Sequence, residues 1–382
     1  MYNVLTLNKI AEIGTSRLGD NYNYGDDVKN PDAILVRSAA MHDMEFDSNL
    51  LAIARAGAGT NNIPKDKCTE KGIVVFNTPG ANANAVKELV IAGLLLSSRK
   101  ITEGIDWAKT LKGNGDAVGK MVEKGKSQFV GPEIQGKTLG VIGLGAIGIL
   151  VANVAVKLGM NVIGYDPFMS VGNALKLNPA VKLMKDNESV MTGCDYLTVH
   201  VPLTPETKDL VDAEMISKMK DGVRILNFSR DGLVNSTAVL EAVKSGKVSK
   251  YVTDFATDDI INEENIICMP HLGASTPESE ENCAVMACDQ IKEFVENGNI
   301  INSVNFPALS MAKEGDIRFC VMHKNVPELL KKVLSEVKGN VENMSSKSRG
   351  DYAYTIIDVT GTDASNADLI SAVDGVIRVR AI

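Results

Sequence analysis

Thr138-Leu139-Gly140-Val141-Ile142-Gly143-Leu144-Gly145-Ala146-Ile147-Gly148 passes from an apolar run suited to a buried parallel strand directly into Gly-x-Gly-x-x-Gly, and a helical pattern continues to Leu158. Each glycine in that spacing has a physical task. Gly143 permits a tight turn, Gly145 lets the backbone approach a pyrophosphate, and Gly148 lets helix and strand pack closely. The helix start at Ala146 and Ile147 offers N–H groups and the positive end of the helix dipole to phosphate oxygens. Eighteen residues beyond Gly148, Ile163-Gly164-Tyr165-Asp166 reads as a second strand ending in an acid. Asp166 would accept from the hydroxyls of an adenosine ribose and repel a 2′-phosphate, which points to NAD rather than NADP. Strand, glycine turn, helix and acid together mark a dinucleotide site.

Working outward, the rhythm of short apolar runs continues. Residues 139–142, 162–165, 196–200, 224–228, 251–253 and 266–269 read as strands, with helical patterns such as 214–220 and 237–245 between them. Six strands with crossover helices predict a doubly wound parallel sheet, the Rossmann type of α/β fold. Upstream, residues 4–7, 33–36, 51–55 and 73–76 predict a smaller, flavodoxin-like parallel sheet, followed by a long helix over 85–99. Residues 111–137, rich in glycine and lysine, read as a connection. A helix over 278–297 and an extended 300–306 carry the chain back to the first domain, and 307–314 reads as a linker. The last stretch follows the order βαββαβ of a ferredoxin-like module. The expected domains are therefore 1–81 with 278–308 for substrate, 82–277 for NAD, and 315–382 for regulation or assembly.

The 382 residues suffice for two or three cores, and the net charge of −8 argues against broad nucleic-acid binding. The six cysteines are dispersed with no CxxC pair, as in a reduced, cytoplasmic protein without a cysteine metal site. The N-terminus lacks a basic region leading into a long apolar run, and no segment reaches membrane-spanning length. A soluble enzyme with no metal and a small-molecule substrate is expected.

Three polar clusters follow strands of the central domain, where ligands sit in open α/β sheets. They are His200 to Thr207, Asn227 to Gly232, and Pro270 to Thr276. Hydride exchange with a 2-oxo acid needs a cation for the carboxylate and carbonyl, and an acid for the developing alkoxide. Arg230 and His271 supply those chemistries. A carboxylate beside His271 would favour its protonated form, and Asp258, Asp259, Glu263 and Glu264 all lie shortly before it. Each has an ordinary alternative: His200 a turn cap, Arg230 a surface residue, the acidic run a solvated loop, Arg37 and Ser38 plain loop residues.

Taken together these motifs resemble the D-2-hydroxyacid dehydrogenase family along nearly the whole chain. The first half is carried by Val36-Arg37-Ser38, Arg55-Ala56-Gly57-Ala58-Gly59-Thr60-Asn61-Asn62, Phe76-Asn77-Thr78-Pro79-Gly80 and Val86-Lys87-Glu88-Leu89. The second half is carried by the glycine turn with Asp166, the His200 to Thr207 loop, Ser229-Arg230 and the Pro270 to Thr276 loop. The resemblance implies that Arg230 orients and polarises the substrate and that His271 exchanges the proton. It implies that Arg37, Ser38, Asn82, Ala58 and Gly59 hold substrate carboxylate and phosphate. It also places Asp254 near the nicotinamide, and His200, Pro202, Thr207, Ser229 and Gly273 along the cofactor. The implied reaction is oxidation of 3-phospho-D-glycerate to 3-phosphohydroxypyruvate, by a homodimer or homotetramer. Two positions depart from the family pattern: the histidine's usual Glu partner is Asp259, and Arg-Gly-Gly is Arg230-Asp231-Gly232.

The tail resembles an ACT regulatory domain. His323, Asn325 and Pro327, with Asn343, match a pattern that implies L-serine as effector, although Glu328 replaces the usual glycine. The alternatives are a glycerate, hydroxypyruvate or D-lactate dehydrogenase and, in another class, an NAD-sensing binding protein.

Overall fold

Strand after strand here is apolar on both sides, because helices cover both faces of the sheet it joins. A computed structural model describes residues 1–382 as two units, Met1–Asn82 with Pro277–Ile382, and Ala83–Thr276.

The first unit holds β1 (Tyr2–Leu7), β2 (Tyr22–Gly25), β3 (Ala33–Val36), β4 (Ala52–Arg55) and β5 (Val74–Phe76), parallel in the order β2-β1-β3-β4-β5. Leu35, Ala54 and Phe76 pack with Ile291, Phe294 and Val295 of the helix Pro277–Asn297. Their neighbours Ile34, Ile53 and Val75 pack with Met41, Phe46 and Leu50 on the other face, as the period of two requires. β2 escapes a reading by apolar runs because it is an edge strand, Tyr-Asn-Tyr-Gly, with its middle residues exposed.

The second unit holds β6 (Thr138–Ile142), β7 (Asn161–Tyr165), β8 (Lys182–Leu183), β9 (Tyr196–Val199), β10 (Val223–Asn227), β11 (Val248–Thr253) and β12 (Ile266–Cys268). The parallel order β12-β11-β10-β9-β6-β7-β8 reverses direction between β6 and β9, which opens a crevice at their carboxyl ends. The seventh strand, β8, is two exposed residues long. Residues 111–137 differ from the expected connection: after the helix Ile101–Thr110 they form the helix Val118–Gly125 and two 3-10 turns. None of these helices buries a residue, so burial leaves no core pattern to read there.

The C-terminal module holds β13 (Ile317–Lys324), β14 (Asn340–Arg349), β15 (Tyr352–Thr360) and β16 (Val376–Ala381), antiparallel in the order β14-β15-β13-β16. Phe319, Val321, Ile357 and Val359 face the helices Leu329–Glu336 and Asn366–Ser371. The opposite face, with Cys320, Met322, Tyr354 and Ile356, joins the core of the first sheet around Phe294 and Phe306. The module thus packs with the first sheet in one compact unit. The expected linker is drawn in as well: Leu309 is buried and bridges Ile300. Polar ties seal the joint. Arg318, fully buried, places Nε and Nη2 on Asp358 at 2.7 Å each and Nη1 on the carbonyls of Asn297 and Met311. Arg380 donates to the carbonyls of Phe294 and Val295. These arginines satisfy the orphan carbonyls at the end of the helix Pro277–Asn297. Glu328, in place of the usual glycine, adopts the left-handed φ of 63°.

Candidate active site

In the second unit, Gly143 has a φ of +88°, and a Cβ there would strike the His200 carbonyl. A Cβ on Gly148 would strike the Gly143 carbonyl, while Gly145 faces open space at the start of the helix Ala146–Lys157. The turn is thus built for a close approach from outside, as a pyrophosphate requires. Asp166 holds it: Oδ2 accepts from the Leu144 N–H at 2.9 Å and Oδ1 from the Phe168 N–H at 2.8 Å. A carboxylate keeps lone pairs free beyond these two bonds, so Asp166 both shapes the turn and presents charge beside it.

The loop after β9 is closed by Thr207, whose hydroxyl donates to the Pro202 carbonyl at 2.6 Å and accepts from the Thr204 N–H at 2.8 Å. His200 Nε2 lies 3.0 Å from Thr198 Oγ1, while Nδ1 is buried without a partner. Burial pushes the His200 pKa down to about 4, so this ring is neutral at physiological pH. An unpaired polar atom buried at the crevice is costly unless a ligand meets it. These residues fit a dinucleotide.

After β10, Ser229 Oγ donates to the Val201 carbonyl at 2.9 Å, and Asn227 Nδ2 donates to the Arg230 carbonyl at 2.9 Å. Thr253 Oγ1 donates in turn to the Asn227 carbonyl. The Arg230 backbone is therefore fixed, yet its exposed guanidinium makes a single bond, to the Ser229 carbonyl at 2.6 Å. Asn227, which opens the second polar cluster, and Thr253, which was not expected as a site residue, give the loop its shape; a polar residue ending an apolar strand was the available signal for Thr253.

His271 is exposed, its ring 4.9 Å from that of Phe255. Asp259, expected as its partner, does not fill that role here. Its carboxylate accepts from the Thr257 hydroxyl, and bonds to Thr257 and Ser236 hold it below the usual carboxylate range. An Asp is one methylene shorter than the expected Glu, and the nearest hydroxyls capture it. Glu263 pairs with Lys244. Asp254, 2 % exposed, lies at the base of the His271 loop, its Oδ2 accepting from the Gly273 N–H at 3.1 Å. Burial raises its pKa, and charge on His271 opposes that rise.

In the first unit, Asn8 organises the loop after β3. Its Oδ1 accepts from the N–H groups of Arg37, Ser38 and Ala39 at 3.2, 3.0 and 3.0 Å. Arg55 Nε donates to the Arg37 carbonyl at 2.9 Å and Nη1 to the Gly59 carbonyl. Asn77 Nδ2 holds the Ala58 carbonyl at 2.6 Å. The Arg37 guanidinium is ion-paired with Glu280. Asn82 ends this unit, half-buried. Asn8 and Glu280 escape sequence reasoning because only folding brings them to Arg37.

In the C-terminal module His323 is buried, its ring nitrogens each 2.9 Å from an acceptor or donor of the module, Thr355 Oγ1 and the Lys324 carbonyl. Asn325 donates to the Gly350 carbonyl. Asn343 lies on the edge strand β14, with β15 between it and His323. Within one chain these residues do not converge.

The profile of the D-isomer specific 2-hydroxyacid dehydrogenase NAD-binding domain matches residues 91–273. The D-3-phosphoglycerate dehydrogenase of Methanocaldococcus jannaschii is 34% identical over 323 residues, covering 82% of this chain and 57% of that protein. D-3-phosphoglycerate dehydrogenase 1 of Saccharomyces cerevisiae is 30% identical over 369 residues, covering 89% and 75%. Among solved structures, the NAD+-bound 3-phosphoglycerate dehydrogenase of Entamoeba histolytica aligns with a TM-score of 0.60 at 26% identity, over 81% of this chain and 99% of that one. The chain belongs to the D-isomer-specific 2-hydroxyacid dehydrogenases. Its Ala83–Thr276 unit carries that family's NAD-binding domain, although the chain spans little more than half the length of the archaeal relative.

Proposed function

We propose that this protein oxidises 3-phospho-D-glycerate to 3-phosphohydroxypyruvate with NAD, and catalyses the reverse reduction. The observation that carries the reading is the under-committed Arg230 and exposed His271 on loops after strands of the NAD unit. The relatives named D-3-phosphoglycerate dehydrogenase point to the phosphorylated substrate.

Bound NAD supplies the hydride acceptor, held by the Gly143–Gly148 turn and Asp166. Arg230 grips the substrate carboxylate and polarises the C2 oxygen. His271 takes the hydroxyl proton as C2 gives up its hydrogen with the bonding pair, leaving the C2 carbonyl. The buried Asp254 carboxylate anchors the His271 loop through Gly273. Neutral His200 adds no competing charge. Arg37, Ser38 and the Ala58-Gly59 backbone seat the phosphoryl group.

The C-terminal module would respond to L-serine through His323, Asn325 and Asn343 at a contact between two copies, since within one chain these residues do not converge. Six free cysteines, none in a disulfide, suit the cytoplasm; a homodimer or homotetramer completes the reading. No helix is long and apolar enough to cross a membrane.

The test is NADH oxidation with 3-phosphohydroxypyruvate beside hydroxypyruvate, pyruvate and 2-oxoglutarate, with and without L-serine. A kcat/KM at least about 100-fold higher for the phosphorylated acid is expected, a preference that approximately 2.7 kcal/mol of charge-assisted binding would supply. Equal use of an unphosphorylated acid would move the reading to a glycerate- or lactate-type enzyme. NADH binding without turnover of any acid would point to a sensor.

A further inference from the structure

The Arg37–Glu280 pair puts a carboxylate of the protein on the guanidinium assigned to the substrate phosphoryl group. The backbone around it is immobilised. Asn8 holds the N–H groups of Arg37, Ser38 and Ala39, and Arg55 holds the Arg37 carbonyl. Glu280 stands in the first turn of the helix Pro277–Asn297, where the helix dipole stabilises a negative charge. The far end of that helix is held by Arg318 and Arg380. The Arg37 backbone is tied by Asn8 and Arg55, so exchange of partners falls to the side chains. Both are about two-fifths exposed, 42% for Arg37 and 43% for Glu280, and an ion pair so open to water is weak. Burial pushes the Cys283 thiol up, Arg37 and Arg55 oppose that rise and Glu280 adds to it, so two cations and one anion share a single neighbourhood.

We propose that Glu280 is a built-in competitor for the phosphoryl seat: it occupies Arg37 against small free anions and yields to a phosphorylated substrate anchored at its other end. This rests on the reading of Arg37 as a substrate ligand. A free phosphate must displace the carboxylate by its own contacts alone. The substrate is already held at its carboxylate, so its phosphoryl group arrives at high effective concentration and wins the exchange.

The experiment is steady-state kinetics of full-length wild type, E280Q, E280D and R37A with 3-phosphohydroxypyruvate and NADH, with inorganic phosphate as a competitive inhibitor. E280Q removes the charge, and the inhibition constant for phosphate should fall about fivefold, the upper range for one exposed ion pair. The KM for 3-phosphohydroxypyruvate should fall by about the same factor, with kcat held, because any ligand seated on Arg37 must displace the same carboxylate. E280D keeps the charge but shortens the reach, and should lie between wild type and E280Q. An E280Q enzyme with unchanged phosphate inhibition, or with a raised KM, would overturn the proposal, the latter by making Glu280 a positioner of Arg37. R37A separates the two readings. A raised KM in R37A beside an unresponsive E280Q sinks the competitor and keeps the seat, whereas an unchanged KM in R37A removes the seat itself and the competitor with it.

Discussion

Arg318 and Arg230 are the same side chain in opposite circumstances. Arg318 is fully buried, with two nitrogens on Asp358 and the third on two carbonyls. Arg230 is exposed, and its one bond goes to the carbonyl of the residue before it. A guanidinium with every nitrogen engaged can hold a fold together but has little left for a ligand. One whose backbone is fixed while its head stays in water can exchange a weak internal bond for a substrate carboxylate. A side chain able to take a ligand therefore stands on a held loop with its head in water, whereas a joint is saturated. His271 and Arg37 belong with Arg230, and Arg380 with Arg318.

The largest effect should come from the uncommitted side. H271A should lower kcat by about 100- to 10,000-fold, the range for loss of a general acid–base group. Circular dichroism and thermal melting should match wild type, because His271 is exposed and its ring packs only at the surface, on Phe255. A melting temperature that dropped with activity would place His271 with the structural set.

The saturated side should fail in the other currency. R318M leaves Asp358 buried without its cation and should cost about 3–5 kcal/mol in denaturant unfolding of the first unit. The double variant R318M/D358L should recover most of that loss. If R318M alone were as stable as wild type, the joint would rest on the shared apolar core and not on its arginines.

A smaller effect comes from His200, which lies between the two types: its Nε2 is bonded and its Nδ1 is buried and unpaired. Its pKa is about 4 in the fold, against an ordinary 6.5. As pH falls below 6.5 the unfolded chain takes up the proton first, so this residue withdraws stability progressively between pH 6.5 and about 4. At pH 5.5 the loss should be roughly 1 kcal/mol, and H200Q should lack it. Chemical denaturation of the two proteins at pH 7 and 5.5 checks this; parallel losses would mean that the histidine titrates normally.

Much of this was legible without coordinates, and the misses are informative. The strands β3, β6, β7 and β10 follow from apolar runs, because a strand covered on both faces has nowhere to put polar residues. β2 and β8 lacked that signal, being exposed edge strands. The helix Val118–Gly125 was also silent, since it buries nothing. Motif order marked Arg230, His271 and Asp166 as expected site residues, but spacing could not choose among Asp258, Asp259 and Glu263, and it set Asp254 beside the nicotinamide instead. That choice depends on which hydroxyls and amides each carboxylate meets: Thr257 for Asp259, Gly273 for Asp254.

What the sequence by itself determined is local: where the chain turns through Gly143, where helices begin, and which runs must be buried. Steric freedom at glycine and the period of apolar residues act within a few positions of the chain. What the tertiary structure alone decided is partnership. Arg37 meets Glu280 from 243 residues away, and Arg318 meets Asp358 from 40. The far face of the C-terminal sheet shares a core with the first sheet. Pairing and burial between distant segments depend on separation in space, and a linear pattern carries no measure of that.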